Sequence, residues 1–346
     1  MAYMTDQLPE VRKSHPYVMY DMMKDIPNGI ERTISSMQKV DLSFIGDDLL
    51  FLGNGTAYHS AYVGSQILDR VSKRHSVVQA YEYLNYMRSS ATTIAISHTG
   101  KTKSTVDAAL KARKTSKTAG ITHYADSPLS NSVDYPIIID DEDKSLCNTK
   151  AFFNNAFASL YIADYYGGLA YDMNDLKAEI SKHVGIDDHE MRSAAEELDH
   201  IDDIFVLGSG YNFPVAREAA QKIREATHMH AEGIEFEEFN HGCTAVMDDR
   251  TLVILIEGQK DRARGDQISR ASRYVGSKTL AINGEGDISV YNDPPDDFTA
   301  AFLNTLDLYY LAYYLAVRRN INPDMLRFED KRYRDYDNVV FPPGEH

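Results

Sequence analysis

The run Leu49 to Thr56, L-L-F-L-G-N-G-T, returns at Ile204 to Tyr211 as I-F-V-L-G-S-G-Y, and a stretch with helical spacing follows each copy. A compact apolar run that breaks into glycines and then a helix reads as strand, tight turn and helix in an α/β layer. Finding it twice predicts a duplicated fold. Within the first copy the pattern continues: Val77 and Val78 precede a helix with Tyr83 and Tyr86, Ile94 and Ile96 precede a hydroxyl-rich turn, Ala119 to Thr122 precede Ser127-Pro128, and Ile137 to Ile139 precede an acidic loop. Leu252 to Ile256 and Thr279 to Ile282 keep that order in the second copy. Short apolar strands alternating with helices imply a parallel sheet covered on both faces, so the expected class is α/β, doubly wound, in two copies.

Closing helices are expected at Thr149 to Tyr166, ending at Gly167-Gly168, and at Phe302 to Val317, with a helical connector from Asp175 to Leu198. Ahead of the first copy, Val18, Met19, Met22, Met23, Ile26 and Ile30 form an apolar stripe interrupted near Pro27. It predicts a helical arm packing on the body or on another subunit. The expected boundaries are an arm over 1–42, a first domain over 43–176 and a second over 177–346, which includes the tail.

Chemistry concentrates at Thr93 to Thr105, T-I-A-I-S-H-T-G-K-T-K-S-T. A strand ending at Ile96 delivers Ser97, Thr99 and Thr102 hydroxyls, Gly100 lets the backbone turn closely, and a helix from about Ser104 aims its free N–H groups at the same point. That is an anion cradle for a phosphorylated small molecule. The spacing is not that of a Walker loop, because Lys101 follows only one glycine. At the matching place the second copy reads I-E-G-Q-K-D-R-A-R-G, and Glu257 would repel a phosphate, so one phosphate pocket per chain is expected.

The formal charge of −16 opposes binding to nucleic acid or an anionic membrane, whose recognition needs clustered Lys and Arg. Attraction of a small anion must therefore be local. Cys147 and Cys243 are too few for a disulfide framework or a four-thiolate zinc site. With no signal-peptide pattern at the start and no apolar run long enough to span a membrane, a cytoplasmic protein is expected.

Four segments in register resemble the sugar isomerase (SIS) domain family, specifically tandem members similar to the isomerase half of glucosamine-6-phosphate synthase. They are Gly53-Asn54-Gly55-Thr56-Ala57-Tyr58, Ser97-His98-Thr99-Gly100-Lys101-Thr102, Asn148-Thr149-Lys150-Ala151-Phe152, and Lys222-Ile223-Arg224-Glu225 with His230-Ala231-Glu232 and Asn240-His241-Gly242 downstream. The likeness covers about residues 15 to 335 and implies two SIS domains, each a five-stranded parallel sheet flanked by helices, in a homodimer. It implies phosphate binding by Ser97, Thr99, Thr102 and the backbone around His98, and sugar binding near Gly55, Thr56 and Asn148. Glu225 takes the position of the proton-transferring carboxylate, with Lys222 one helical turn before it. His241 takes that of a ring-opening histidine donated by the neighbouring subunit. Lys331, after Asn322-Pro323-Asp324 and Arg327, falls where a lysine contacts the open-chain sugar, although the residues that follow depart from the pattern. No cofactor or metal enters this chemistry. His98 and Lys101 also depart from the family's usual residues, and two cations so close would favour a doubly charged phosphate unless both point to solvent.

Rival readings are weaker. Gly53-Asn54-Gly55 could open a dinucleotide fingerprint, but Tyr58 and Phe213 stand where the third glycine belongs in the two copies. His228 and His230 with Glu232 could share a face of an extended segment around a metal, yet would diverge on a helix. Glu235, Glu237 and Glu238 read as a solvated face or a dimer loop. Moving a carbonyl between C1 and C2 of a sugar needs one base to take a proton from one carbon and return it to the next, and one carboxylate can do both. The chain starts Met1-Ala2, so no glutamine-hydrolysing domain is expected in it. The expected reaction is conversion of glucosamine 6-phosphate to fructose 6-phosphate and ammonia. Alternatives are a deglycase acting on fructosamine 6-phosphates, a phosphosugar isomerase releasing no amine, and a non-catalytic sugar-phosphate sensor.

Overall fold

The computed structural model describes residues 11 to 341. The N-terminal arm forms two helices, α1 (Val18–Lys24) and α2 (Ile26–Met37), parted at Asp25 because Pro27 is tolerated in the first turn of a helix and not in its interior. Val18, Met19, Met22, Met23, Ile26 and Ile30 are all buried, as their spacing predicts. The first ten residues of the expected arm lie outside the described residues.

The described chain forms two compact units, one from residues 25–177 with 327–341, the other from 12–24 with 178–326. The first runs β1 (Leu49–Gly53), α3 (Thr56–Ser65), β2 (His75–Gln79), α4 (Ala80–Tyr86), β3 (Thr92–Ile96), α5 (Lys103–Ala112), β4 (Thr118–Thr122), α6 (Pro128–Ser132), β5 (Tyr135–Ile138) and α7 (Lys150–Gly167). Its strands all pair in parallel, in the order β2-β1-β3-β4-β5. β1, β3 and β4 are buried along their whole length because helices cover both faces. One face carries a core of Leu50, Leu52, Tyr83, Ala95, Ala108, Ala109 and Leu129. α7 packs against α2 and α3.

The order of strands reverses between β1 and β3, so the turns after these two strands open side by side at their C-terminal ends. Such a switch point is where open α/β sheets hold ligands.

α8 (Met173–Glu196) leads into the second unit: β6 (Asp203–Gly208), α9 (Asn212–Thr227), β7 (His230–Ile234), β8 (Thr251–Ile256), α10 (Arg262–Ser272), β9 (Lys278–Ile282), β10 (Ile288–Val290) and α11 (Asp297–Arg318). Its sheet is parallel in the order β10-β9-β8-β6-β7, which is the order of the first sheet read from the opposite edge. The fold is thus a duplicated α/β fold with two five-stranded parallel sheets. β7 and β10 escape the apolar-run pattern because they are edge strands, one containing Glu232 and Gly233 and the other three residues long.

α1 packs on α11 within this unit, and Asp324 holds it there by accepting the Val18 and Met19 N–H groups at 2.7 and 2.9 Å. That anchor keeps the chain with the second unit as far as Leu326; the following tail, with α12 (Lys331–Val340), groups with the first unit. No helix among the described residues is long and apolar enough to cross a membrane.

Candidate functional site

In the first unit, the turn after β3 is organised by its own hydroxyls. Ser97 Oγ accepts the Gly100 N–H at 3.1 Å and lies 3.1 Å from Thr102 Oγ1, while Thr99 Oγ1 accepts the Lys101 N–H at 3.3 Å. Gly100 adopts φ +66°, and a Cβ there would stand 2.2 Å from Ser127 Oγ, so the position admits no side chain. Thr102 precedes α5 without capping it by its side chain; its hydroxyl faces Ser97 instead. Within the first turn of α5 the Thr105 N–H donates to Thr102 O at 3.0 Å, so the donors this helix start can offer an anion are the N–H groups ahead of it.

Across the switch point, Gly55 takes φ +52° before Thr56 opens α3, and Asn54 Nδ2 donates to Ser104 Oγ at 2.8 Å, joining the two turns. Ser97, Thr99, Thr102, Gly55 and Thr56 are therefore gathered at adjoining strand ends.

His98 corrects an expectation. Its Nε2 accepts the Asp143 N–H at 3.2 Å, which requires that nitrogen to be unprotonated. Desolvation and the neighbouring His123, stacked at 5.7 Å, push its pKa down to about 4. The ring is neutral near pH 7 and adds no second cation to the turn after β3. Lys101 Nζ stands 5.9 Å from the Tyr124 ring centre.

Asp143 was not anticipated, because its partners are backbone groups that no motif reveals. Its carboxylate accepts the N–H groups of Ser145, Thr149 and Ala151 at 3.0, 2.8 and 2.9 Å, shaping the segment that enters α7. Burial pushes its pKa up against these donors. Within that segment Asn148 Nδ2 donates to Ser145 O at 2.6 Å. Lys150 is buried and committed to Asp25 and Asp141 at 2.8 and 3.0 Å, so it serves the framework.

The second unit holds the acid–base candidates on α9. Glu225 Oε2 accepts from Lys222 Nζ at 2.6 Å and Oε1 from Gln221 Nε2 at 2.7 Å, and the carboxylate keeps 24% of its side-chain exposure. Lys222 is 1% exposed and also lies 3.8 Å from Glu218 Oε1, which in turn accepts from Tyr309 Oη at 2.9 Å. One buried ammonium thus stands between a buried and a part-exposed carboxylate. Glu218 was missed, although residues 218, 222 and 225 have the spacing of one helical face.

His241 follows a short 3-10 turn (Glu238–Asn240) and is exposed. Glu235 is a structural acid: burial would raise its pKa, but the Ser209 hydroxyl and the N–H groups of Glu238 and Glu237 outweigh this and lower it. Glu237 pairs with Arg264 at 2.8 Å. Lys331 begins α12 in the first unit, 76% exposed and paired with Asp335, apart from the hydrogen bonds of the phosphate turn.

The counterpart of the turn after β3 in the second unit carries a carboxylate where the first has a hydroxyl. Glu257 N donates to Ile282 O as Ser97 N does to Ile121 O, so Glu257 stands in the place of Ser97. There Asp261 and Asp297 accept the Gly258 and Gln259 N–H groups at 3.1 and 3.2 Å. Protein carboxylates already occupy N–H groups that a bound anion would need.

The glutamine–fructose-6-phosphate aminotransferases (isomerizing) of Sulfolobus acidocaldarius and Thermococcus kodakarensis are 26% and 25% identical over 337 and 347 residues, each covering 91% of this chain. The chain spans 56% and 58% of those proteins, little more than half their length. Among solved structures, glucosamine-6-phosphate deaminase from Thermotoga maritima superposes with a TM-score of 0.76 at 24% identity, over 89% of this chain and 95% of that one. Tagatose-6-phosphate ketose/aldose isomerase from Escherichia coli gives 0.78 at 16% identity, over 92% and 97%. These likenesses establish the fold. The SIS domain profile matches residues 47–165 and 197–318, one segment on each sheet, and the chain belongs to the SIS domain family.

Proposed function

We propose that the chain is an aminosugar-phosphate isomerase that converts glucosamine 6-phosphate to fructose 6-phosphate and ammonia, acting as a homodimer. The observation that carries the reading is the carboxylate of Glu225, part-exposed and held on the buried ammonium of Lys222, in a chain whose other unit presents a hydroxyl-lined turn with a helix N-terminus. Ser97, Thr99, Thr102 and the N–H groups of the turn take the phosphate. Gly55, Thr56 and Asn148 face the sugar. His241, exposed on its own unit, serves ring opening from the neighbouring subunit.

Glu225 removes the C2 proton of the open-chain aldehyde, giving an enolamine, and returns it to C1, giving the imine of fructose 6-phosphate. Water adds to that imine and ammonia leaves, so no oxidant or reductant is consumed. Lys222, donating to Glu225 Oε2 at 2.6 Å, holds that carboxylate in place for the transfer. Lys331 is the remaining cation of this reading, placed on a developing enolate oxygen by resemblance. The relatives' names, which describe isomerising aminotransferases and a glucosamine-6-phosphate deaminase, support the substrate class.

The test is turnover with the purified chain. Glucosamine 6-phosphate should yield fructose 6-phosphate and ammonia in equal amounts, and Glu225→Gln should bind fructose 6-phosphate within about threefold of wild type while losing at least about a thousandfold in kcat. An unchanged kcat would remove Glu225 from the mechanism. Release of amine only from fructosamine 6-phosphates would replace the reaction with deglycation, and binding without any turnover would make the chain a sensor.

A further inference from the structure

We propose that His98 is a positioning residue, which ties the phosphate turn to the Asn148 segment and thereby governs how the carbon skeleton, and not the phosphate, is held. The inference rests on the reading of this turn as the phosphate cradle. His98 lies between Ser97 and Thr99, and its Nε2 is committed as the acceptor of the Asp143 N–H, so that nitrogen serves the Asp143 segment and is not a donor to an anion.

Its backbone is fixed from the other side. His98 O accepts the His123 N–H at 2.9 Å and the Thr122 hydroxyl at 3.1 Å, and the two imidazoles stack with their planes 16° apart. His123 is itself held by Nδ1 donating to Ile139 O at 3.1 Å. The ring of His98 therefore stands on an anchored base at the ends of β3 and β4. What it fixes in turn is Asp143, whose carboxylate gathers the N–H groups of Ser145, Thr149 and Ala151. Moving Asp143 moves that whole segment, and Asn148 with it, since Asn148 is pinned to Ser145.

The phosphate turn has its own supports in Ser97, Thr99 and Thr102, none of which runs through the His98 ring. Removal of the ring should leave the anion's donors in place and release the segment beside them. A side chain that restores an acceptor at the same reach should restore the segment.

Calorimetric titration of the full chain with inorganic phosphate and with fructose 6-phosphate separates these effects. In His98→Leu, fructose 6-phosphate should bind at least about tenfold more weakly and inorganic phosphate within about threefold of wild type, whereas His98→Gln, whose amide oxygen can accept the Asp143 N–H, should return fructose 6-phosphate to within about threefold. Equal weakening of both ligands, no weakening of either, or a loss that Gln fails to reverse overturns the inference. Amide exchange on the wild-type chain tests it even where His98→Leu does not fold. Fructose 6-phosphate should slow exchange of the Asp143 amide at least about tenfold and inorganic phosphate less than about threefold, because coupling between two sites is reciprocal. Equal protection by both ligands, or none by either, overturns it. A wild-type chain that binds neither ligand fails at the cradle itself, which is a different result from a wild-type chain that binds both and a His98→Leu variant that treats them alike.

Discussion

Lys222 shows how far one residue's chemistry depends on its neighbours. An amine 1% exposed is tolerable because Glu218, fully buried, and Glu225 flank it at 3.8 and 2.6 Å. Replacing Lys222 by Met leaves Glu218 in the interior without the neighbouring amine, its Oε1 still accepting from Tyr309 Oη. The expected cost is about 3–5 kcal/mol, as for other broken buried pairs, read as a lower urea midpoint. Adding Glu218→Gln removes the stranded charge, so the double variant should be more stable than Lys222→Met alone. A double variant less stable than either single one would show that the two side chains do not share one electrostatic site.

Among the elements, α1 depends on a residue some three hundred positions away. Asp324 accepts both N–H groups at its start, and Asn322 Oδ1 accepts the Asp324 N–H at 2.9 Å to hold it in place. Asp324→Ala should cost about 1–2 kcal/mol, the usual worth of such a cap, and expose the Met19 and Met23 face to protease before the rest of the second unit opens; cleavage sites mapped by mass spectrometry check it. An unchanged cleavage pattern would mean that packing on α11 alone holds the helix. The Asn-Pro-Asp segment was legible as a motif, but its sequence carries no sign of what it caps. The same divide runs through the molecule. Central strands such as β1 and β8 announce themselves because burial on both faces demands unbroken apolar runs, whereas β7 and β10 satisfy only one neighbour and keep polar residues. Ser97 and Thr102 could be read as hydroxyls beside a turn. The neutrality of His98 could not, because it arises first from burial and then from His123, distant in sequence and brought close by the order of the strands.

At the scale of the whole chain, duplication has left two sheets of one topology whose buried acids and bases answer pH in opposite directions. His98 in the first unit has its pKa depressed to about 4 from 6.5, so between those values the unfolded chain binds the extra proton and stability rises with pH. The second unit buries Asp187 and Asp307 at 1% and 0% exposure, with His183 Nδ1 3.1 Å from Asp187 Oδ1 and Asn292 donating to Asp307 Oδ2 at 2.9 Å. Among the described residues, Asp187 Oδ2 and Asp307 Oδ1 have no hydrogen-bond partner. Burial first and Glu190 second push Asp187 up to about 8, and burial with the neighbouring Asp187 also raises Asp307 well above the ordinary carboxylate value. Burial also lowers His183, which therefore does not supply a compensating charge. Here the folded chain holds protons that the unfolded chain has released, so stability falls as pH rises from about 4 to about 8. The two slopes overlap in the wild type, and only a difference between variants isolates either. Asp307→Asn keeps the shape and the Asn292 neighbourhood but removes a titrating group, so its urea stability should decline less than that of the wild type between about pH 5 and about pH 8 and overtake it at the alkaline end. Parallel profiles across that range would place the proton elsewhere and leave the two carboxyls without a part in the molecule's response to pH.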